Sequence, residues 1–188
     1  CAFVECEACW PESSAEPERY LPRVTDSCGR FESRASDYFK QLVAGFSITA
    51  SLVCDELGNS VSPAGSSKGL GNQTDLALLI AMRRQAQVIV TTGKTLRADD
   101  YSFPKGADLA VLTTRAISLE APKDQKLIIS KSGYQGTLRE LQTAGYQRMH
   151  IEYGMSGIKD LLIGNALDAL LLSSIRRSGV ERISAELG

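Results

Sequence analysis

The chain has 188 residues, enough for one sizeable hydrophobic core and too few for two comfortable ones. Its 43% apolar and 23% charged residues are ordinary for a globular protein, and a net charge of −1 gives no basic excess for nucleic acid. The longest apolar run, Leu76 to Met82, falls far short of the ~20 residues of a membrane helix, and Glu5, Glu7 and Glu12 interrupt any leader-like stretch. A soluble, cytoplasmic chain with no nucleic-acid or membrane partner is the expectation.

Residues 1–40 hold Pro11, Pro17 and Pro22 among acidic and small polar residues, and read as an irregular extension with one short helix from Arg34 to Gln41. The five cysteines, Cys1, Cys6, Cys9, Cys28 and Cys54, are an odd number and a poor fit to a closed disulfide framework. Cys6 and Cys9 form a C-x-x-C, but no second pair follows and the one histidine, His150, lies far off in an apolar segment, so reduced cysteines and no metal are expected.

From residue 41 to 188 the pattern is that of one α/β domain. Val43 to Val53 reads as a buried first strand. Gly58 to Asn72, with four glycines, four serines and Pro63, reads as a loop. Thr74 and Asp75 are suited to cap a helix in which Leu76, Leu79, Ile80 and Arg83 fall at helical spacing. Strands follow at Gln87–Thr92, Leu109–Thr113 and Lys126–Ser130. A helix at Thr137–Ala144 is stopped by Gly145. A strand at Arg148–Tyr153, a helix at Ser156–Gly164 and a strand at Leu167–Leu172 complete the alternation. This order predicts a mostly parallel sheet with helices on both faces.

Ligands of open α/β sheets bind beyond the carboxyl ends of the strands, which selects four places: the Thr92–Thr95 turn, the loop after Ser130, the Gly154–Gly157 turn and the Ser66–Lys68 loop. The Gly154-Met155-Ser156-Gly157 turn opens a helix, where free N–H groups favour an anion, yet such turns also serve plain packing. Glu152 at a strand end has two readings, a carboxylate that orients a polar heterocycle or one facing solvent. Arg83 either covers apolar surface or approaches an anionic substrate.

Together these segments resemble the reductase domain of bacterial riboflavin biosynthesis, of the dihydrofolate-reductase-like fold. The resemblance is carried by Ser51-Leu52, Ser66-Ser67-Lys68, Met82-Arg83, the run Gly93-Lys94-Thr95-Leu96-Arg97-Ala98-Asp99-Asp100, and Glu152-Tyr153-Gly154. It covers Val43 to Ser173 and needs no gap between Lys68 and Asp100.

The resemblance implies a three-layer α/β fold, NADPH as cofactor, and hydride transfer to a pyrimidine ribosylamine or a related small heterocycle. It implies cofactor contacts at Gly93, Thr95, Asp99, Ser130, Gly154, Met155, Ser156 and Gly157, and a substrate pocket of Ser67, Lys68, Arg83, Phe103 and Glu152. Homodimerisation is a further implication. Departures fall on the substrate side. Val53 stands for an aspartate, Gly69 for an aromatic residue, Tyr101 for a proline and Tyr153 for a glycine. Gly106, beside Lys105, stands near a phosphate-gripping arginine, and no cluster matches the zinc ligands of the deaminase that often accompanies this reductase.

Overall fold

The computed structural model describes residues 2–5, 45–55, 57–63, 65–67, 69–71, 73–99 and 101–175. The expected Arg34–Gln41 helix, Lys68, Asp100, the tail beyond Ile175 and all cysteines but Cys54 lie outside them; Cys54 is buried and free.

In chain order the elements are β1 (Ala2–Glu5), β2 (Ile48–Asp55), α1 (Gln73–Gln85), β3 (Val88–Thr92), α2 (Gly93–Ala98), β4 (Asp108–Leu112), β5 (Leu127–Ser130), α3 (Gly133–Thr143), β6 (Met149–Glu152), α4 (Met155–Ile163) and β7 (Ala169–Ile175). The strands form one sheet in the order β1-β7-β2-β6-β3-β4-β5, and every pairing is parallel.

Right-handed crossovers explain the layers. The steps β2 to β3, β3 to β4 and β4 to β5 run towards one edge, whereas β5 to β6 and β6 to β7 run back. Helices of the two directions must then lie on opposite faces. Alternation along the strands agrees with this. Val88, Val90, Met149 and Ile151 pack with Leu138 and Leu141 of α3 and Ile158 and Leu161 of α4. On the other face Ile89, Leu109 and Val111 pack with Leu96 of α2 and with Tyr101 and Phe103.

Three sequence expectations are corrected. The first strand begins at Ile48 rather than Val43, because the Asp168 carboxylate accepts from Ser47 N at 2.8 Å and Ile48 N at 2.7 Å and fixes the strand's entry. Residues 2–5, expected to be irregular, lie as a strand parallel to β7 at one edge of the sheet. In α1, Leu76 and Ile80 are exposed while Leu78, Ala81 and Met82 are buried. A helix apolar all round does not disclose its inward face. Among the described residues no helix is long and apolar enough to cross a membrane.

Candidate functional site

The chain reverses direction across the sheet between β3 and β6, which are neighbours with Thr91 opposite Glu152. β3 runs into α2 on one face and β6 into α4 on the other. Such a topological switch point leaves a crevice at the carboxyl ends of the two strands.

Glu152 ends β6 there, with its side chain 10% exposed. Arg83 approaches it from the last turn of α1, because helical side chains tilt towards the helix amino terminus and so reach back over the strand ends. The guanidinium grips the carboxylate in a fork: Nε donates to Oε1 at 2.6 Å and Nη2 to Oε2 at 2.7 Å. The Tyr101 hydroxyl donates to Oε2 at 2.7 Å and accepts from Arg83 Nη2 at 3.0 Å, while its ring lies 5.2 Å from the guanidinium carbon.

Burial alone would raise the Glu152 pKa, but the hydrogen bonds and charge of Arg83 hold it below the usual carboxylate value. For Arg83, burial opposes the charge and Glu152 outweighs it, so the guanidinium titrates above its usual value. Burial first, and then the Glu152 charge, push the Tyr101 hydroxyl well above the usual phenol range. The site therefore holds a fixed ion pair under a neutral tyrosine.

The predicted residues divide into those brought together and those set apart. Arg83 and Glu152 meet directly. Ser67 and Asp99 also meet: Asp99 accepts from Ser66 Oγ at 2.5 Å, Ser67 N at 3.0 Å and Ser67 Oγ at 2.8 Å, tying the serine loop to the end of α2. Thr95 is engaged in the cap of α2, its N–H donating to Thr92 Oγ1 at 3.1 Å with the two hydroxyls 3.0 Å apart. Gly93 is a packing glycine, since a Cβ there would lie 2.5 Å from Thr113 Oγ1.

Ser130 lies at the end of β5, three strands from β6, or about 14 Å along the edge. Its hydroxyl donates to Glu140 Oε2 at 2.6 Å and accepts from Thr137 Oγ1 at 2.8 Å. Phe103 packs in the apolar cluster with Leu96 and Tyr101. In the Gly154–Gly157 turn, Gly154 has open space beside its Cα and Ser156 is exposed, whereas Gly157 is buried against Tyr153 and Tyr134. The amides of Gly157 and Ile158 bond to Gly154 O, leaving those of Met155 and Ser156 as first-turn donors without a partner among the described residues. A surface groove of about 460 Å³ lies elsewhere, between α3 and the β4–β5 edge, and of the candidates includes Ser130 alone.

Two departures from the resemblance have a backbone reason. Gly69 and Gly106 sit at φ +81° and +79°, where the side chains it calls for, an aromatic and an arginine, are rarely accommodated. Sequence reasoning missed Tyr101 as a partner of Glu152, and Thr49 and Ser51 as partners of His150. For His150 a signal existed, because residues two apart on a strand share a face and Glu152 follows it by two.

No family model matches the sequence, and no curated protein matches it. Among solved structures the chain resembles a protein assigned to riboflavin biosynthesis from Shewanella sp. PV-4, with TM-score 0.51 and 14% identity over 70% of this chain and 77% of that one. The two share a fold. The dihydrofolate-reductase-like architecture implied by the sequence resemblance is thus the one observed, with a sheet that is wholly parallel among the described residues. Weaker superpositions link the chain to a diaminohydroxyphosphoribosylaminopyrimidine deaminase/5-amino-6-(5-phosphoribosylamino)uracil reductase from Thermotoga maritima, with TM-score 0.48 and 13% identity over 68% of this chain and 44% of that one. A pyrimidine reductase-like protein from Corynebacterium diphtheriae superposes at TM-score 0.39 and 21% identity, over 80% of this chain and 77% of that one.

Proposed function

We propose that the chain is an NADPH-dependent reductase of a small polar heterocycle, of the pyrimidine ribosylamine class. The observation that carries the reading is the switch point itself, where the α4 turn and the forked Arg83–Glu152 pair both stand at the carboxyl end of β6, beside β3. Fold likeness to a riboflavin-biosynthesis protein supports the class of reaction, while the acceptor rests on the site.

The donor set fits a dinucleotide laid along the carboxyl edge. The Met155 and Ser156 amides offer two donors to a pyrophosphate, and Gly154 leaves room for its approach. The exposed cations Lys94 and Arg97 of α2, after β3, and Arg115, after β4, would offer charge to a 2′-phosphate. The roles of Thr95, Asp99 and Ser130 shift in this reading: their side chains bond within the protein and shape the edge on which the cofactor lies. Bound NADPH would supply the hydride. The chain's own residues hold donor and acceptor in contact, with Glu152 fixed in its charged form to accept from the heterocycle's N–H edge.

The test is a fluorescence titration with NADPH followed by turnover. Saturable binding with NADPH oxidation on a pyrimidine ribosylamine phosphate is expected. Failure to bind at millimolar NADPH would overturn the cofactor assignment, and binding without oxidation would overturn the acceptor.

A further inference from the structure

His150 is the one histidine of the chain, fully buried on β6, and both of its ring nitrogens are engaged. Nδ1 lies 3.0 Å from Thr49 Oγ1 and Nε2 lies 3.1 Å from Ser51 Oγ, both hydroxyls belonging to β2. Glu152 Oε1 is 3.9 Å from Nε2. A neutral imidazole donates at one nitrogen and accepts at the other, so two arrangements of protons are possible.

If Nδ1 carries the proton, Thr49 must accept it and send its own proton to Met149 O, 3.4 Å away and at the limit of a hydrogen bond. Ser51 Oγ would then donate to Nε2 at 3.1 Å, but the Nε2 lone pair would still stand 3.9 Å from the Glu152 carboxylate, an unfavourable electrostatic contact in a buried setting. If Nε2 carries the proton, Thr49 donates to Nδ1 at 3.0 Å, and the Nε2 proton lies between Ser51 and the carboxylate. This arrangement does without the 3.4 Å bond and turns an N–H rather than a lone pair towards the Glu152 charge, and it leaves one polar group open. The Ser51 hydroxyl accepts from His150 and has no other partner among the described residues, so its own proton lacks an acceptor. Ser51 is half-buried on the face that carries Glu152, in the strand next to β6.

We propose that His150 is a positioning residue. As the Nε2–H tautomer it donates to Ser51 and turns the Ser51 hydroxyl outward, as a donor to a carbonyl oxygen or ring nitrogen of the bound heterocycle. Glu152 accepts and Ser51 donates, so the pair reads an N–H beside a C=O, the edge that an oxidised pyrimidine presents. The ligand half of this inference rests on the substrate reading of the switch point; the tautomer half stands on geometry alone. Burial lowers the His150 pKa to about 4, which keeps the ring neutral at ordinary pH.

Because the chain has one histidine, a histidine-labelled sample gives one imidazole spectrum. Long-range proton–nitrogen correlation at pH 7 should show Nε2 protonated and Nδ1 bare, unchanged from pH 5.5 to 8. A protonated Nδ1, or an imidazolium, overturns the proposal. Where the wild type oxidises NADPH on the pyrimidine ribosylamine phosphate, Ser51→Ala should lower kcat/KM roughly tenfold or more and leave NADPH affinity unchanged, as loss of one buried hydrogen bond to substrate predicts. An unchanged kcat/KM overturns the ligand half. Absence of turnover in the wild type counts against the reductase reading and removes the ligand half with it, while the tautomer result remains readable.

Discussion

Arg83 and Glu152, 69 residues apart in sequence, are joined through two parallel hydrogen bonds of 2.6 and 2.7 Å. The pair links the end of α1 to the end of β6, so one interaction serves both the fold and the proposed substrate edge. Glu152→Gln keeps the shape but removes the charge and turns an amide towards the guanidinium. It should lower stability by about 2–3 kcal/mol in urea unfolding, the cost of leaving a partly buried cation without its anion. The double variant Arg83→Met/Glu152→Gln should recover part of that loss, because no uncompensated charge is left. Strictly additive losses would show that the two side chains do not act as a pair.

His150 makes stability depend on pH. Its folded pKa of about 4 lies below the 6.5 of a free imidazole, mainly because burial disfavours the charged ring. Between these values the unfolded chain binds the proton and the fold does not. The stabilisation is therefore complete above pH 6.5 and lost as pH falls towards 4, by about 3 kcal/mol. Unfolding curves from pH 7 to 4 measure this directly. His150→Gln should flatten the slope in that window, whereas the further fall below pH 4.5, where Glu152 with its lowered pKa begins to contribute, should persist.

The strands from β3 to β7 are legible in the sequence to within a few residues because short apolar runs bounded by glycine and polar turns allow few alternatives. Strand ends in turn mark the candidate turns, Glu152 and Gly154 among them, whereas the switch point follows only from the strand order in space. The inward face of α1 is not legible, since Leu76 to Met82 is apolar on every side and Arg83 pairing with Glu152 selects the face only in three dimensions. The roles of Asp99 and Tyr101 are hidden for a related reason. Each is defined by a partner 32 or 51 residues away, and local pattern carries no record of such contacts.

Asp99 holds the serine loop, with its carboxylate accepting one backbone and two hydroxyl donors. Asp99→Asn keeps one acceptor oxygen and loses the charge, which should cost about 1–2 kcal/mol. The sharper readout is amide exchange at Ser67, whose N–H donates to Asp99 at 3.0 Å and should exchange at least several-fold faster in the variant. Weakened NADPH binding with Ser67 exchange unchanged would instead return Asp99 to direct cofactor contact.

The two glycines of the α4 turn should answer differently to the same substitution. At Gly157 an added Cβ would sit 2.7 Å from Tyr153 Cβ and 2.8 Å from Tyr134 Cε1, both in the packed layer between α3 and α4. Gly157→Ala should therefore cost about 1–3 kcal/mol of stability by overpacking. At Gly154 the Cβ meets nothing within 4 Å and the backbone, at φ −68°, suits any residue. Gly154→Ala should then cost less than about 1 kcal/mol, the ordinary penalty of alanine at a helix N-cap. If the open space beside Gly154 receives the pyrophosphate, the same methyl group stands in its way, and NADPH affinity should fall at nearly unchanged stability. A Gly154→Ala variant that binds NADPH as the wild type does would remove the α4 turn from the cofactor site, whatever Gly157→Ala does to the fold.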